Sequence, residues 1–166
     1  KKMSNNLPKN YRCKSLTSKL LATIPNEIFV YVQAPFESVI YNKYYLMLCR
    51  HLHPKTNIVC VRNGDRYVPV NSRESFMLYL GMLSSVAYRK FINAAMDINL
   101  LFMIEAYNDK RYYVINPVFA TNRRVNFNAI STFFSIISSF GNAVTIDEKY
   151  VEDIIKPESD KRVDRW

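Results

Sequence analysis

Residues 57–70 read Asn57-Ile58-Val59-Cys60-Val61-Arg62-Asn63-Gly64-Asp65-Arg66-Tyr67-Val68-Pro69-Val70. Two short β-prone runs, 57–62 and 66–70, flank an Asn-Gly pair. Asn and Gly tolerate the positive φ angles of a two-residue hairpin turn, so this is a strong local hairpin signal. Past the hairpin, Asn71 offers an N-cap with Glu74 three residues on, a capping-box arrangement. The helix it opens is expected to run to about Met96. Its stretch 76–83 is apolar on all sides, which predicts a central, buried helix with Gly81 allowing close packing.

Working outward, residues 98–107 and 112–119 form a second hairpin around Asn108–Arg111, with Pro117 suited to an edge strand. Asn126 or Asn128 caps a helix to Phe140, closed by Gly141-Asn142. Thr145 and Glu148 form another capping box for a short helix to Lys156, stopped by Pro157. On the N-terminal side, residues 15–22 suggest a short helix, and 27–33 (EIFVYVQ) a strand. Pro35 suits a helix start, and Phe36, Val39, Ile40, Tyr44, Met47 and His51 then recur at helical spacing until Pro54.

The expected class is α+β: an antiparallel sheet from two hairpins plus an N-terminal strand, with elements in the order β-α-ββ-α-ββ-α-α. The first six elements match the split βαβ plan of ferredoxin-like folds. Pro69 conflicts with it, because a central third strand needs every ladder donor. The expected organisation is a basic arm over 1–24, one α+β domain over 25–157 and a charged tail over 158–166.

The chain has 166 residues and a net charge of +9, with half its residues apolar, including 12 Tyr and 10 Phe. It has only three glycines, Gly64, Gly81 and Gly141. Phosphate-binding loops and dinucleotide fingerprints need two or three glycines close together, so both are excluded. Three cysteines, Cys13, Cys49 and Cys60, are too few and too irregular for a disulfide framework or a zinc site. Their odd number points to a reducing compartment, cytoplasm or nucleus, or to the interior of a virion. No apolar run approaches the ~20 residues of a membrane span. Sixteen Asn with many Lys, Tyr and Ile match an AT-rich genome such as that of a large DNA virus or a parasite.

Charge directs the functional reading. Residues 1–19 hold Lys1, Lys2, Lys9, Arg12, Lys14 and Lys19 and no acid. Flexible cationic arms neutralise phosphates. The loop tips add Arg62 and Arg66, then Lys110 and Arg111, then Arg123 and Arg124. Tyr67, Tyr112 and Tyr113 lie near enough in sequence to stack on bases. The expected function is therefore a non-catalytic protein that binds or packages nucleic acid. The alternative is an assembly subunit whose arm and Phe-rich helix, 127–140, dock on protein neighbours or on a second copy. No cofactor is expected.

His51-Leu52-His53 holds both histidines. The triplet resembles the His–hydrophobe–His motif of rolling-circle replication endonucleases. The resemblance implies a metal site and a tyrosine nucleophile on a later helix, for which Tyr88, near Lys90, is the counterpart. The periodicity points elsewhere: it sets both histidines at a helix end, turned ~200° apart, where the helix dipole explains a His by itself. Glu105, in an apolar strand, is a general base or metal ligand if buried, and otherwise faces solvent by strand alternation or pairs with a neighbour such as Arg111.

Overall fold

The computed structural model describes residues 17–106, 109–123, 128, 131, 132, 134, 135 and 143–146. Residues 17–21 are helical. Then follow β1 (Ile28–Val30), α1 (Val39–Leu48), a 3₁₀ turn (Cys49–His51), β2 (Cys60–Asn63), β3 (Arg66–Pro69), α2 (Arg73–Leu80), α3 (Ser85–Asp97), β4 (Leu101–Ala106), β5 (Arg111–Ile115), β6 (Ala120–Asn122) and β7 (Ala143–Ile146). The fold is α+β.

Both hairpins form with shifted bounds: the first turns at Gly64-Asp65, and the second ends at Ile115, so that Pro117 lies in a turn past the strand and not in an edge strand. In β2–β3, Asn63 pairs with Arg66 across a turn in which Gly64 takes φ 62°. In β4–β5, Leu101 pairs with Ile115 and Glu105 with Arg111. Each face of β4–β5 is covered by its own core. Leu101, Tyr113 and Ile115 join Tyr45, Phe76, Phe91 and the other residues of α1–α3. Phe102, Ile104, Tyr112 and Val114 join Ile58, Cys60 and Phe134 on the opposite face. A strand pair buried on both faces needs unbroken apolar runs, which is what LLFMI and YYVI supply.

The two hairpins meet at residue 58. Ile58 bridges to Val114, Val59 N–H donates to the Tyr113 carbonyl and Ile115 N–H to the Asn57 carbonyl. Asn57 makes this junction. Its φ is 60° and it is fully buried. Its Nδ2 donates to the Ile115 carbonyl at 2.8 Å and to the Ala120 carbonyl at 2.9 Å.

Several expectations are corrected. The N-terminal strand does not enter a ferredoxin-like sheet with the hairpins: β1 pairs antiparallel with β6, Ile28 against Asn122. The central ladder runs β5-β4-β7, and β7 lies parallel to β4. Thr145 thus sits in a strand and caps no helix, while Glu148 lies outside the described residues. Asn128 is itself helical and so is no cap. Pro69 causes no conflict, because among the described residues β3 pairs only with β2, and Pro69 ends it opposite Cys60.

The single helix expected to end near Met96 is two. Ser72, one residue later than expected, caps α2, and Ser75 completes its capping box. Gly81 ends α2 at φ 70°, its N–H reaching back to the Leu78 and Met77 carbonyls. Met82 N–H also donates to the Met77 carbonyl at 2.9 Å, which is the Schellman arrangement. Nothing lies within 4 Å of a Cβ built on Gly81, so its role is backbone reversal and not close packing. Ser84 caps α3 by accepting from Ala87 N–H. α1 begins at Val39, later than Pro35 suggests, because Asn42 folds back to bond both the N–H and the carbonyl of Phe36, and Ser38 becomes the cap.

Candidate nucleic-acid interface

β1 alternates. Ile28 is 5% exposed and enters the core, whereas Phe29 and Tyr31 are 42% and 55% exposed. Their rings lie along the ribbon with centroids 6.0 Å apart and planes within 23° of parallel. From the paired strand, Thr121 holds the Tyr31 hydroxyl at 3.2 Å. Arg123, immediately after β6, sets its guanidinium 4.1 Å from the Phe29 centroid. The antiparallel register therefore assembles a row of flat faces: guanidinium, phenyl, phenol. Only the period-two spacing of the aromatics in EIFVYVQ announces it in sequence, and the sequence reading above did not single it out.

Of the basic residues singled out in the sequence, Arg62 and Arg123 come together at this ribbon. Arg62 pairs with the Glu27 carboxylate and lies 5.1 Å from the Tyr67 centroid, and Arg123 N–H donates to the Glu27 carbonyl. Arg66 is exposed at the start of β3, and Lys19 is exposed on the helix at 17–21. Lys1, Lys2, Lys9, Arg12, Lys14 and Arg124 lie outside the described residues, as does most of 127–140. Phe134, from that stretch, packs edge-on against Phe102 at 5.4 Å in the second core.

Arg111 belongs to another group. Its Nη2 donates to Glu105 Oε1 at 2.8 Å and its Nη1 to the Tyr88 hydroxyl at 3.3 Å. Burial opposes the charge on Arg111, but Tyr88, Tyr113 and Glu105 outweigh it and raise its pKa. Glu105 is thus the ion-pair partner of its cross-strand neighbour. Together with Arg73, Glu74, Asp109 and Lys110 these residues line an open cleft of about 310 Å³ in which acids and bases balance. The loop arginines therefore fall into at least two groups, and a carboxylate holds Arg62 and Arg111 each in its own place.

Two of the three tyrosines expected to stack on bases cannot do so. Tyr112 and Tyr113 are 1% and 0% exposed, because strand alternation sends each into one of the two cores. Tyr67 is half-buried, accepting from Asn122 Nδ2 at 3.1 Å and meeting the His53 ring edge-on at 5.7 Å. Tyr88 also turns inward: its hydroxyl meets that of Tyr113 at 2.7 Å. Burial and this contact push the Tyr113 pKa up. A hydroxyl so placed is unavailable to attack a phosphodiester.

His51 closes the 3₁₀ turn, while His53 is buried after an extended Leu52 and accepts the Lys55 N–H on Nδ1 at 3.1 Å. His51 Nδ1 is buried with no hydrogen-bond partner among the described residues. Burial lowers the His51 pKa, as do Arg62 and Arg50, while Glu27 raises it. Among the described residues no three His, Cys, Asp or Glu side chains gather as a cation site, and no helix is long and apolar enough to cross a membrane. Cys49 and Cys60 are free and buried, and burial pushes the Cys49 thiol up to about 12.

No protein-family model, curated protein or solved structure matches this chain.

Proposed function

We propose that this chain is a non-catalytic protein that binds or packages nucleic acid through its phosphates. One observation carries the reading: six of the cations behind a net charge of +9 fall in residues 1–19, where there is no carboxylate. Such a segment releases counterions from a phosphate backbone without needing a shaped site. Arg123, beside the exposed aromatics of β1, adds a cation on the folded body. The reading places the protein in the cytoplasm or nucleus, or inside a virion.

The test is binding of a labelled oligonucleotide to the full chain and to the chain lacking residues 1–19, across a salt series. Affinity is expected to fall steeply with salt. Deleting six cations is expected to flatten the log–log slope by up to about 4 on a single strand. Absence of binding at low salt overturns the proposal.

A second reading, an assembly subunit, has its own observation. Leu78 and Leu83 are 84% and 99% exposed at the α2–α3 junction. Close by in sequence, Val86 lines a groove of about 320 Å³ with Ile40, Tyr41 and Tyr44. Discrete oligomers in sizing experiments, with no nucleic-acid binding, would favour it.

A further inference from the structure

We infer that the β1–β6 ribbon is a stacking platform for the unpaired bases of a single-stranded nucleic acid. The inference rests on the phosphate-binding reading and adds to it a site and a strand class. Phe29 in β1 and Tyr31 just past its end are large, flat and exposed, and their rings neighbour each other, while Ile28 turns into the core. The hydrogen bond from Thr121 holds the Tyr31 ring in place before any ligand arrives, so little side-chain freedom remains to be lost on binding. The Arg123 guanidinium lies over the Phe29 ring and adds its own plane to the site. Aromatic rings and guanidinium planes are the surfaces on which bases stack, whatever the sequence.

Charge selects the same occupant. The described cations beside the ribbon are Arg50, Arg62 and Arg123. Arg62 is paired with Glu27, Arg50 donates to the Thr23 hydroxyl and Arg123 lies on a phenyl ring. Among the described residues, no carboxylate pairs with Arg50 or Arg123. Arg123 is thus the cation at the rings left for the phosphates that join stacked bases, with Arg50 in the turn that follows α1. A duplex would use those cations but not the rings, since its base faces are already covered and only groove edges remain open.

The experiment uses the full chain and three labelled probes of roughly 12 nucleotides, a length within the usual single-strand site sizes: an oligo-dT, an oligo-U and a mixed-sequence duplex. Dissociation constants are measured by anisotropy at fixed salt. Tyr31→Leu and Phe29→Leu keep apolar bulk while removing the flat face, and their thermal midpoints check folding. Each is expected to weaken the single strands about 5- to 100-fold, the usual worth of one stacked base, and to leave the duplex unchanged. Tyr31→Phe and Tyr31→Trp keep a ring and are expected to retain most of the single-strand affinity, losing only what the Thr121 bond contributes by holding the ring, even if a leucine variant folds poorly. Loss on only one of oligo-dT and oligo-U identifies the strand as DNA or RNA. Wild-type binding that neither leucine variant weakens, or that both weaken equally on the duplex, overturns the platform while leaving phosphate binding intact. Failure of the wild type to bind any probe at low salt overturns both.

Discussion

Replacing Asn57 is expected to be the most damaging single polar change in the described fold. Its Nδ2 is the donor that two buried carbonyls share, those of Ile115 and Ala120, and so it ties β5 to the start of β6. Asn57→Ala leaves both acceptors short of a partner, at about 1–3 kcal/mol each. It also puts a Cβ-bearing residue without a compensating side-chain bond at φ 60°, which adds about 1 kcal/mol. The sum, roughly 3–7 kcal/mol, is comparable to the whole stability of many domains. Asn57→Gly loses the same bonds without the conformational penalty and is expected to be roughly 1 kcal/mol less harmful than Ala. Asn57→Asp is the sharper probe. An ionised carboxylate would face two carbonyl oxygens, so its pKa in the folded chain must lie above the unfolded value near 4. Its damage is therefore least below that value, where the protonated acid still donates one bond, and grows as pH rises. Urea unfolding of the three variants at pH 4 and pH 7 measures each term. A loss below about 1 kcal/mol for Asn57→Ala, or an Asp variant whose penalty does not change with pH, refutes the assignment.

Two further outcomes follow from the same kind of reasoning. Gly81→Ala meets open space but must hold φ 70°, so it is expected to cost about 1 kcal/mol in urea unfolding, and Gly81→Asn less, because Asn tolerates that region better. The fold lowers the His51 pKa, first by burial and then through Arg62 and Arg50, against an opposing pull from Glu27. The unfolded chain then binds the extra proton first, and stability falls as pH drops through about 6.5. That limb of the pH–stability curve should disappear in His51→Asn.

The hairpins were legible because alternation and a glycine at the turn are local facts, although the turn falls at Gly64-Asp65, one residue past Asn63. The stop at Gly81 was hidden by its neighbours. An apolar run from 76 to 83 reads as buried on all sides, yet Leu78 and Leu83 point to solvent, Met77 and Tyr79 are half-buried against the core, and Phe76, Leu80 and Met82 are buried in it. β6 and β7 have three and four residues and carry no periodic signal of their own. They exist because of partners far along the chain, Ile28 for Asn122 and Met103 for Ala143. At the candidate site, charge made the arginines visible, but sequence does not show which carboxylate each one meets. Tyr112 and Tyr113 were placed near the loop tips correctly and assigned to the surface wrongly, since a hairpin covered on both faces leaves neither of its alternating sets in solvent.

The parallel pairing of β7 with β4 sets a schedule for the chain's own synthesis. The β4–β5 hairpin can close once residue 115 has emerged, but the strand that covers the other edge of β4 is 40 residues downstream of its partner, Ala143 against Met103. At ribosomal rates of about 5–20 residues per second, that edge waits roughly 2–8 s for its partner. Until then Met103 and Ile104 sit on an open ladder, the kind of edge that neighbouring nascent chains can pair with. A product truncated before residue 143 would keep the edge open for good, and should be recovered as aggregate rather than as a smaller soluble domain.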